Sequence, residues 1–421
     1  MDKIVVRGGK RLSGSVQGSG AKNSALPILA ACLLSEEKSV IEGVPNLRDI
    51  ITMCRLLRVL GAKVNFEDGS VEINPSGKLK AVAPYHLVST MRASVCVLGP
   101  LLARLGEAQV SLPGGCVIGA RPIDLHLKGL QALGTQIRIE HGYVYAKKKG
   151  RLHGAEVYLG GAFGSSVLAT ANIMIAATLA QGTTLIESAA CEHEVVDLAN
   201  FLNKMGAKVS GQGSHLIEIQ GVRKLYGAKH TVIPDRIEAG TFMVAAAVTG
   251  GDITINNCNP DHNNALIDKL KQAGVRVDRS KHSVRVKRNG RLKPIDITTH
   301  PYSGFPTDLQ AQMMALMATT PGISVITEKI YPDRFIHVSE LNRMGCNIFL
   351  EGSSAIINGV KRLSGAPVMA SDLRASAALV LAGLAAEGET HVLRVYHLDR
   401  GYEKIEQKLS SLGASIHREK E

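Results

Sequence analysis

The chain has 421 residues, 45% of them apolar and 20% charged, with a formal net charge of +12 and no tryptophan. This length calls for two or more domains with sizeable cores, and the composition excludes disordered and fibrous classes. The charge invites a nucleic-acid reading, but aromatics make up only 4% and no Lys/Arg run exceeds Lys147 to Lys149, so stacking platforms are missing; small acidic substrates suit the balance at least as well.

The longest apolar runs, Ala25 to Leu34 and Ala375 to Ala386, are too short to cross a bilayer, and the start MDKIVVRGGKR has no apolar signal core. A cytosolic protein is expected. Seven cysteines form no CxxC pair, and His193 and Glu194 are followed by Asp197 where an HExxH helix needs its second ligand. Neither a disulfide framework, nor a metal, nor another cofactor is expected.

In chain order, KIVVRGG reads as a strand. GSGAKNSALPILAACLL, Gly18 to Leu34, reads as a glycine turn that feeds Lys22 and Asn23 into an apolar helix with Pro27 in its first turn. It fails the GxxxxGK[ST] order, and a GxGxxG loop would need glycine at Asn23. An anion clamp and a surface turn with a solvated lysine both stay open here.

LLRVLGAKVNF, Leu56 to Phe66, is the first of six related phrases, whose shared glycines are Gly61, Gly134, Gly206, Gly274, Gly345 and Gly413, separated by 73, 72, 68, 71 and 68 residues. Each phrase reads as a helix end, a glycine in the left-handed cap and an alternating strand. After the first, AKVNFEDGSVEIN adds a hairpin turning at Asp68 and Gly69. A second, Ala-rich helix follows about thirty residues after each of the first five glycines: Met91 to Leu102, Val167 to Leu179, Glu238 to Val248, Leu309 to Ala318 and Leu373 to Ala385, with Ser24 to Leu34 ahead of the first copy. With little polar face, these helices are expected to be buried.

One central and one outer helix per repeat, made six times, is best built as two α/β (α+β) domains of three repeats. The division is expected near residues 228 to 232, giving domains 22–229 and 1–21 plus 230–421, with the N-terminal strand closing the last repeat of the second domain. A cleft between the domains is the expected ligand site.

Lys22, Arg92, Arg236 and Arg374 fall at the starts of buried helices, with Ser165, Ser166 and Asp308 at the equivalent points of the other two. Cations there oppose the helix dipole, at roughly 0.3 to 1 kcal/mol each when exposed, which points to a strongly anionic ligand; a solvated end with a carboxylate neighbour is the plainer account of any one. Asp308 fits a helix cap and a general base equally. Arg334 and Arg400 each follow an aspartate that could be their sole partner.

LPGGCVIGARP, Leu112 to Pro122, sets Cys116 between glycines, where nothing apolar would bury it, and Arg121 should lower its pKa toward the thiolate. Cys32, Cys54 and Cys96 lie in apolar helical patterns and read as inert core thiols. Asp124 opens the next helix, and His126 in its first turns suits packing and function equally.

Together these residues resemble the UDP-N-acetylglucosamine enolpyruvyl transferases, and the likeness runs end to end. It is carried by SGAKNSALPILAA, LPGGCVIGARPIDLH, PDRIEAGTF, GFPTDLQAQ, DRFIHVSELNRMG, DLRASAALVLAG and YHLDRGYE. The resemblance implies a two-domain inside-out α/β barrel of six βαβαββ units, and transfer of the enolpyruvyl group of phosphoenolpyruvate to the 3-hydroxyl of the UDP-sugar through a tetrahedral intermediate, without a metal. It implies that Lys22, Arg121 and Arg400 hold phosphoenolpyruvate, and that Cys116 protonates the enol carbon or attaches to it. Asp308 would take or position the hydroxyl proton. Asn23, Arg92, Arg121, Pro122, Ile123, Asp124, Leu125, Ser166, Val167 and Ile330 would hold the UDP-sugar, while Arg334, Asp372 and Arg374 would support the site.

One departure stands out: where the family reads Ser-Val-Gly-Ala-Thr, this chain has SVLAT, with Leu168 beside the implied nucleotide contacts. Two other functions are kept in view, a 3-phosphoshikimate enolpyruvyl transferase and a non-catalytic paralogue that only binds the UDP-sugar. The implied partners are small molecules; neither nucleic acid nor membrane is expected, and the oligomeric state is open.

Overall fold

Residues 2–114 and 123–420 are described by the structure, a computed structural model. They form two compact units, an N-terminal one of residues 20–114 with 123–233 and a C-terminal one of 2–19 with 234–420. The chain passes between them after Ser19 and after Ile233, a few residues from the expected 21/22 and 229/230. The strand Lys229–Thr231 is paired with Ser39–Glu42, so the second division cannot fall inside it.

Each unit is built on three nearly all-apolar inner helices. In the N-terminal unit these are α1 (Lys22–Ala31), α2 (Leu98–Leu105) and α3 (Val167–Ala177); in the C-terminal unit they are α4 (Arg236–Thr249), α5 (Gln310–Ala318) and α6 (Leu373–Ala385). Helices apolar all round must be enclosed, and each trio sits in its own core cluster. Pro27 lies in the second turn of α1, not the first, because the helix begins at Lys22.

The helix expected over Met91 to Leu102 is split into a 3₁₀ run, Arg92–Val97, and α2. The cause is Asn172 on α3. Its amide donates to the Val95 carbonyl (3.1 Å) and its oxygen accepts from the Gly99 N–H (2.8 Å), so one side chain takes both ends of a would-be i→i−4 bond.

Three four-stranded mixed sheets cover each trio. In each, a short strand runs parallel to the first long strand of the repeat, and two more follow antiparallel, as in Lys229–Thr231, Ser39–Glu42, Ser70–Asn74 and Lys63–Glu67. Burial alternates along the strands, for example iBiBi over Asp252–Asn256, so one face meets the helices and the other solvent. The turn at Asp68 and Gly69 has φ of +46° and +74°, the primed geometry expected of that hairpin. All six repeat glycines have φ between +88° and +105°, where a side chain would be strained.

The last sheet is completed from the other end of the chain. Asp2–Arg7 lies antiparallel between Glu389–Leu393 and Ser415–Lys420, where the other sheets place a hairpin strand. Both passages between units are pinned. On the C-terminal side, the Glu238 carboxylate, 1% exposed, accepts from the Ser19 N–H (2.6 Å) and from Lys408 Nζ (2.7 Å). On the N-terminal side, Asp197 accepts from Ser24 Oγ and from the Ile233 N–H (3.2 Å) and meets His230 Nε2 at 2.9 Å. The aspartate sits between serine and histidine, an order unsuited to activating the serine.

Ile4 is fully buried in the borrowed strand. Ile4→Ala should therefore cost about 2 to 4 kcal/mol in urea unfolding despite its place at the chain start. Lys3→Ala, which loses a half-exposed pair to Glu419 at 3.2 Å, should cost less than about 1 kcal/mol.

Candidate active site

The expected site residues divide between the two units. In the N-terminal unit, Lys22 is the first residue of α1 and is buried against Asp49, Nζ to Oδ2 3.1 Å. Asn23 follows, half-buried. Arg92 opens the 3₁₀ run ahead of α2 rather than the α-helix itself. Ile123 is buried and precedes the helix Asp124–Ala132, in which Asp124 is exposed and Leu125 half-buried. Ser166 caps α3, its Oγ accepting from the Ala169 N–H at 3.3 Å, and Val167 begins that helix. Leu168 is half-buried and packs on the apolar core. Cys116, Arg121 and Pro122 lie outside the described residues.

His126 resolves to packing. It is 2% exposed, with Nδ1 3.1 Å from the Asn172 amide, and burial, assisted by the nearby Arg92 charge, pushes its pKa down to about 3. The Cys32, Cys54 and Cys96 thiols are buried, and desolvation pushes them up to about 12, 11 and 12.

In the C-terminal unit the structure brings Asp308, Arg334, Arg374 and Asp372 together. Asp308 sits in a single 3₁₀ turn, Thr307–Leu309, and caps no helix. Its Oδ1 accepts from Arg334 Nη1 at 2.9 Å and its Oδ2 from Arg374 Nη2 at 3.0 Å. Burial would push this carboxyl up, but the two guanidiniums outweigh it and hold Asp308 well below the usual carboxylate range. Arg334 therefore pairs with Asp308 and not with the adjacent Asp333.

The true caps are Asp372, whose Oδ1 accepts from the Arg374 and Ala375 N–H groups (2.8 and 3.2 Å), and Asp235, which serves α4 and precedes Arg236. Ile330 is half-buried, with its N–H on Glu328 at 2.8 Å. Arg400 ends the 3₁₀ run Val395–Arg400, half-buried, while Asp399 is engaged by Arg418 at 2.6 Å.

Sequence reasoning missed several members. Tyr402, 1% exposed, lies under Arg374 (guanidinium to ring centroid 5.4 Å), and its hydroxyl meets Thr241 of α4 (2.9 Å) and the Gln312 amide of α5 (3.1 Å). It ties all three inner helices of the unit at one level. His337 is buried near Asp372 and Arg334, and burial brings it down to about 4. Glu328 is fully buried behind Thr307. The YHLDRGYE, DRFIHVSE and TEKIYPDR stretches carry Tyr402, His337 and Glu328, but no spacing rule singles them out.

Chemically, the C-terminal cluster offers a carboxylate that stays ionised at any working pH and two fixed guanidiniums suited to planar anions. The N-terminal unit offers a buried ammonium paired with Asp49 and the starts of α1 and α3, where a helix dipole favours anions. Among the described residues there is no group of three metal-ligating side chains.

Residues 6–409 match the family described as EPSP synthase (3-phosphoshikimate 1-carboxyvinyltransferase). A protein of Carboxydothermus hydrogenoformans named UDP-N-acetylglucosamine 1-carboxyvinyltransferase 2 is 57% identical over 420 residues, 99% of each chain. A protein of Methylacidiphilum infernorum named UDP-N-acetylglucosamine 1-carboxyvinyltransferase is 55% identical over 418 residues, again 99% of each. Among solved structures, the enolpyruvyl transferase NikO from Streptomyces tendae superposes with a TM-score of 0.89 at 25% identity, covering 99% of this chain and 98% of that one. An EPSP synthase from Acinetobacter baumannii shares the fold, with a TM-score of 0.76 at 20% identity over 100% of both chains.

His126 and His337 give the site a pH signature. Both are neutral when folded, and their folded pKa values of about 3 and 4 lie below the unfolded value near 6.5. The unfolded chain thus binds more protons below pH 6.5, so their stabilising contribution is complete above that pH and is lost as pH falls toward 4 and 3. Each group adds a slope of about 1.4 kcal/mol per pH unit. The urea midpoint should drop between pH 6.5 and 5, and the two imidazole resonances should stay in their neutral positions at pH 5; a midpoint near 6.5 for either would refute the assignment.

Proposed function

Because the chain belongs to the EPSP synthase family of enolpyruvyl transferases, we infer that it carries out the reaction for which its relatives at 57% and 55% identity are named. It transfers the enolpyruvyl group of phosphoenolpyruvate to the 3-hydroxyl of UDP-N-acetylglucosamine and releases phosphate, the first committed step of peptidoglycan synthesis. The structural observation that supports this reading best is Asp308 held between Arg334 and Arg374 at the start of α5. No helix among the described residues is long and apolar enough to cross a membrane, and a cytosolic setting belongs to the same reading.

In the reaction the sugar oxygen bonds to C2 of phosphoenolpyruvate while C3 gains a proton, giving a tetrahedral phospho-ketal. Loss of phosphate and of one C3 proton restores the vinyl group. Lys22, Arg121 and Arg400 hold the phosphate and carboxylate, and Cys116 supplies the C3 proton or bonds to C2. Asn23, Arg92, Arg121, Pro122, Ile123, Asp124, Leu125, Ser166, Val167 and Ile330 hold the UDP-sugar, with Leu168 altering the pose beside Val167. Asp372 and Arg374 set the frame for Asp308.

The two arginines bear on the role of Asp308. A carboxylate held so far below its usual range is a weak base, so in this arrangement it first orients the sugar hydroxyl as an acceptor. It becomes a stronger base when a guanidinium shifts toward the substrate's own anionic groups. The shikimate acceptor is disfavoured because the relatives above half identity carry the UDP-sugar name.

The test is phosphoenolpyruvate-dependent phosphate release with each acceptor. Turnover is expected with UDP-N-acetylglucosamine and not with shikimate 3-phosphate; the reverse would overturn the reading. Asp308→Ala should lower kcat by about a hundredfold or more.

The epoxide fosfomycin should add once, at Cys116, and stop turnover. The other cysteines are buried, with thiols pushed up to about 12, 11, 12, 11 and 12 at Cys32, Cys54, Cys96, Cys258 and Cys346, and upward at Cys191. A mass shift on any of these, or none, would count against Cys116.

A further inference from the structure

We propose that Glu328 is a positioning residue for the reaction, holding Asp308 in place through the Thr307 hydroxyl and Arg334. The proposal rests on the enolpyruvyl-transfer reading above. Glu328 follows the strand Ile323–Thr327 and is fully buried. Four donors converge on it: Thr299 Oγ1 (2.6 Å), the Ile330 N–H (2.8 Å) and the Tyr331 N–H (3.0 Å) on Oε1, and Thr307 Oγ1 (2.8 Å) alone on Oε2. A carboxylate out of reach of water and surrounded only by donors is a fixed acceptor.

That acceptor sets the direction of the chain beyond it. A threonine hydroxyl has one proton, and at Thr307 it goes to Glu328, so the oxygen turns its lone pairs to Arg334 Nη1, 2.9 Å away. The same Nη1 donates to Asp308 Oδ1 at 2.9 Å. Glu328 also holds the turn that carries Arg334: it takes the Ile330 and Tyr331 amides, the Arg334 N–H returns to the Tyr331 carbonyl (2.9 Å), and the Tyr331 ring lies 5.9 Å from the guanidinium. Arg334 is thus fixed twice, once through its backbone and once through its tip.

Glu328→Gln separates positioning from scaffolding. The amide oxygen can keep the three donors on the Oε1 side, but its NH2 then faces Thr307, whose hydroxyl must turn away and whose lone pairs are shared between two donors. The expected result is a loss of about ten- to a hundredfold in kcat/KM for UDP-N-acetylglucosamine, together with freer rotation of the Arg334 guanidinium in nitrogen NMR. Thr307→Val should reproduce both effects, and Thr307→Ser should restore them.

Thr299→Val is the structural control. It also removes a donor to Glu328 (2.6 Å) and the acceptor of the Lys329 N–H (2.9 Å), but it makes no hydrogen bond to Thr307 or to the Arg334 guanidinium, so it should lower the melting temperature without loosening that guanidinium. The inference is overturned if Glu328→Gln and Thr307→Val melt early, as Thr299→Val does, yet keep the wild-type kcat/KM and the wild-type restriction of the Arg334 guanidinium. Should Glu328→Gln fail to fold, the Thr307 pair decides alone. Should the wild type turn over neither acceptor, the functional reading falls separately, and restricted rotation of the Arg334 guanidinium, read by nitrogen NMR in wild type and Thr307→Val, still decides: equal restriction in both would refute the role.

Discussion

Six helices without a polar face constrain everything else in this molecule. A helix such as α3, Val167–Ala177, has no side that tolerates water, so three of them must pack together and be walled by sheets whose outer faces are polar. Few polar groups can then lie along the helices, and several of them pair within the bundle. Asn172 does so by breaking the backbone ladder ahead of α2; Gln312 and Thr241 do so around the Tyr402 hydroxyl. The helix starts are the places where such a bundle presents backbone donors and charged side chains, and the candidate site residues gather there.

The same constraint explains how cations come to stand against helix dipoles. From sequence, Lys22, Arg236 and Arg374 imply an outside anion, but in the structure the chain supplies much of the compensation itself. Lys22 meets Asp49, Arg374 meets Asp308, and Asp235 and Asp372 cap the helices that carry Arg236 and Arg374 in their first turns. Removing one partner of such a buried set leaves a charge stranded at a cost of about 3 to 5 kcal/mol, whereas the complete set contributes little net stability. The aspartates therefore fix where the guanidiniums point, and it is that orientation which a planar, doubly anionic substrate can use.

What could be read from the sequence follows the range of the interaction involved. The repeat glycines, the Asp68-Gly69 turn and the burial of the inner helices depend on residues a few positions apart, and they read directly. The N-terminal strand reads because KIVVRGG stands as an extra strand ahead of the first buried helix, free to close the last repeat. Pairings across 161 or 219 residues do not read: Tyr402 with Thr241, or Ser19 with Glu238, carry no local signal. Asp308 shows the intermediate case, since a Thr-Asp pair before a helix looks like a cap until Arg334, later in the same repeat, and Arg374, from the next, arrive. The split before α2 was hidden for a similar reason, because its cause lies on a different helix.

The repeats also separate the scaffold from the chemistry. The glycine at the end of each outer helix has the same residue type and the same left-handed backbone in all six copies, because closing the turn into the strand allows nothing else. The residues at the inner-helix starts are not uniform: Lys22, Arg92, Ser166, Arg236, Asp308 and Arg374 include an ammonium, three guanidiniums, a hydroxyl and a carboxylate. Lys22 with Asp49, Arg236 behind the Asp235 cap and the Ser166 cap are each held locally, whereas Asp308 and Arg374 hold one another across two repeats. An architecture of this kind can assemble an asymmetric site from a symmetric frame, and here the one carboxylate among the openings is the one held by arginines from two other segments.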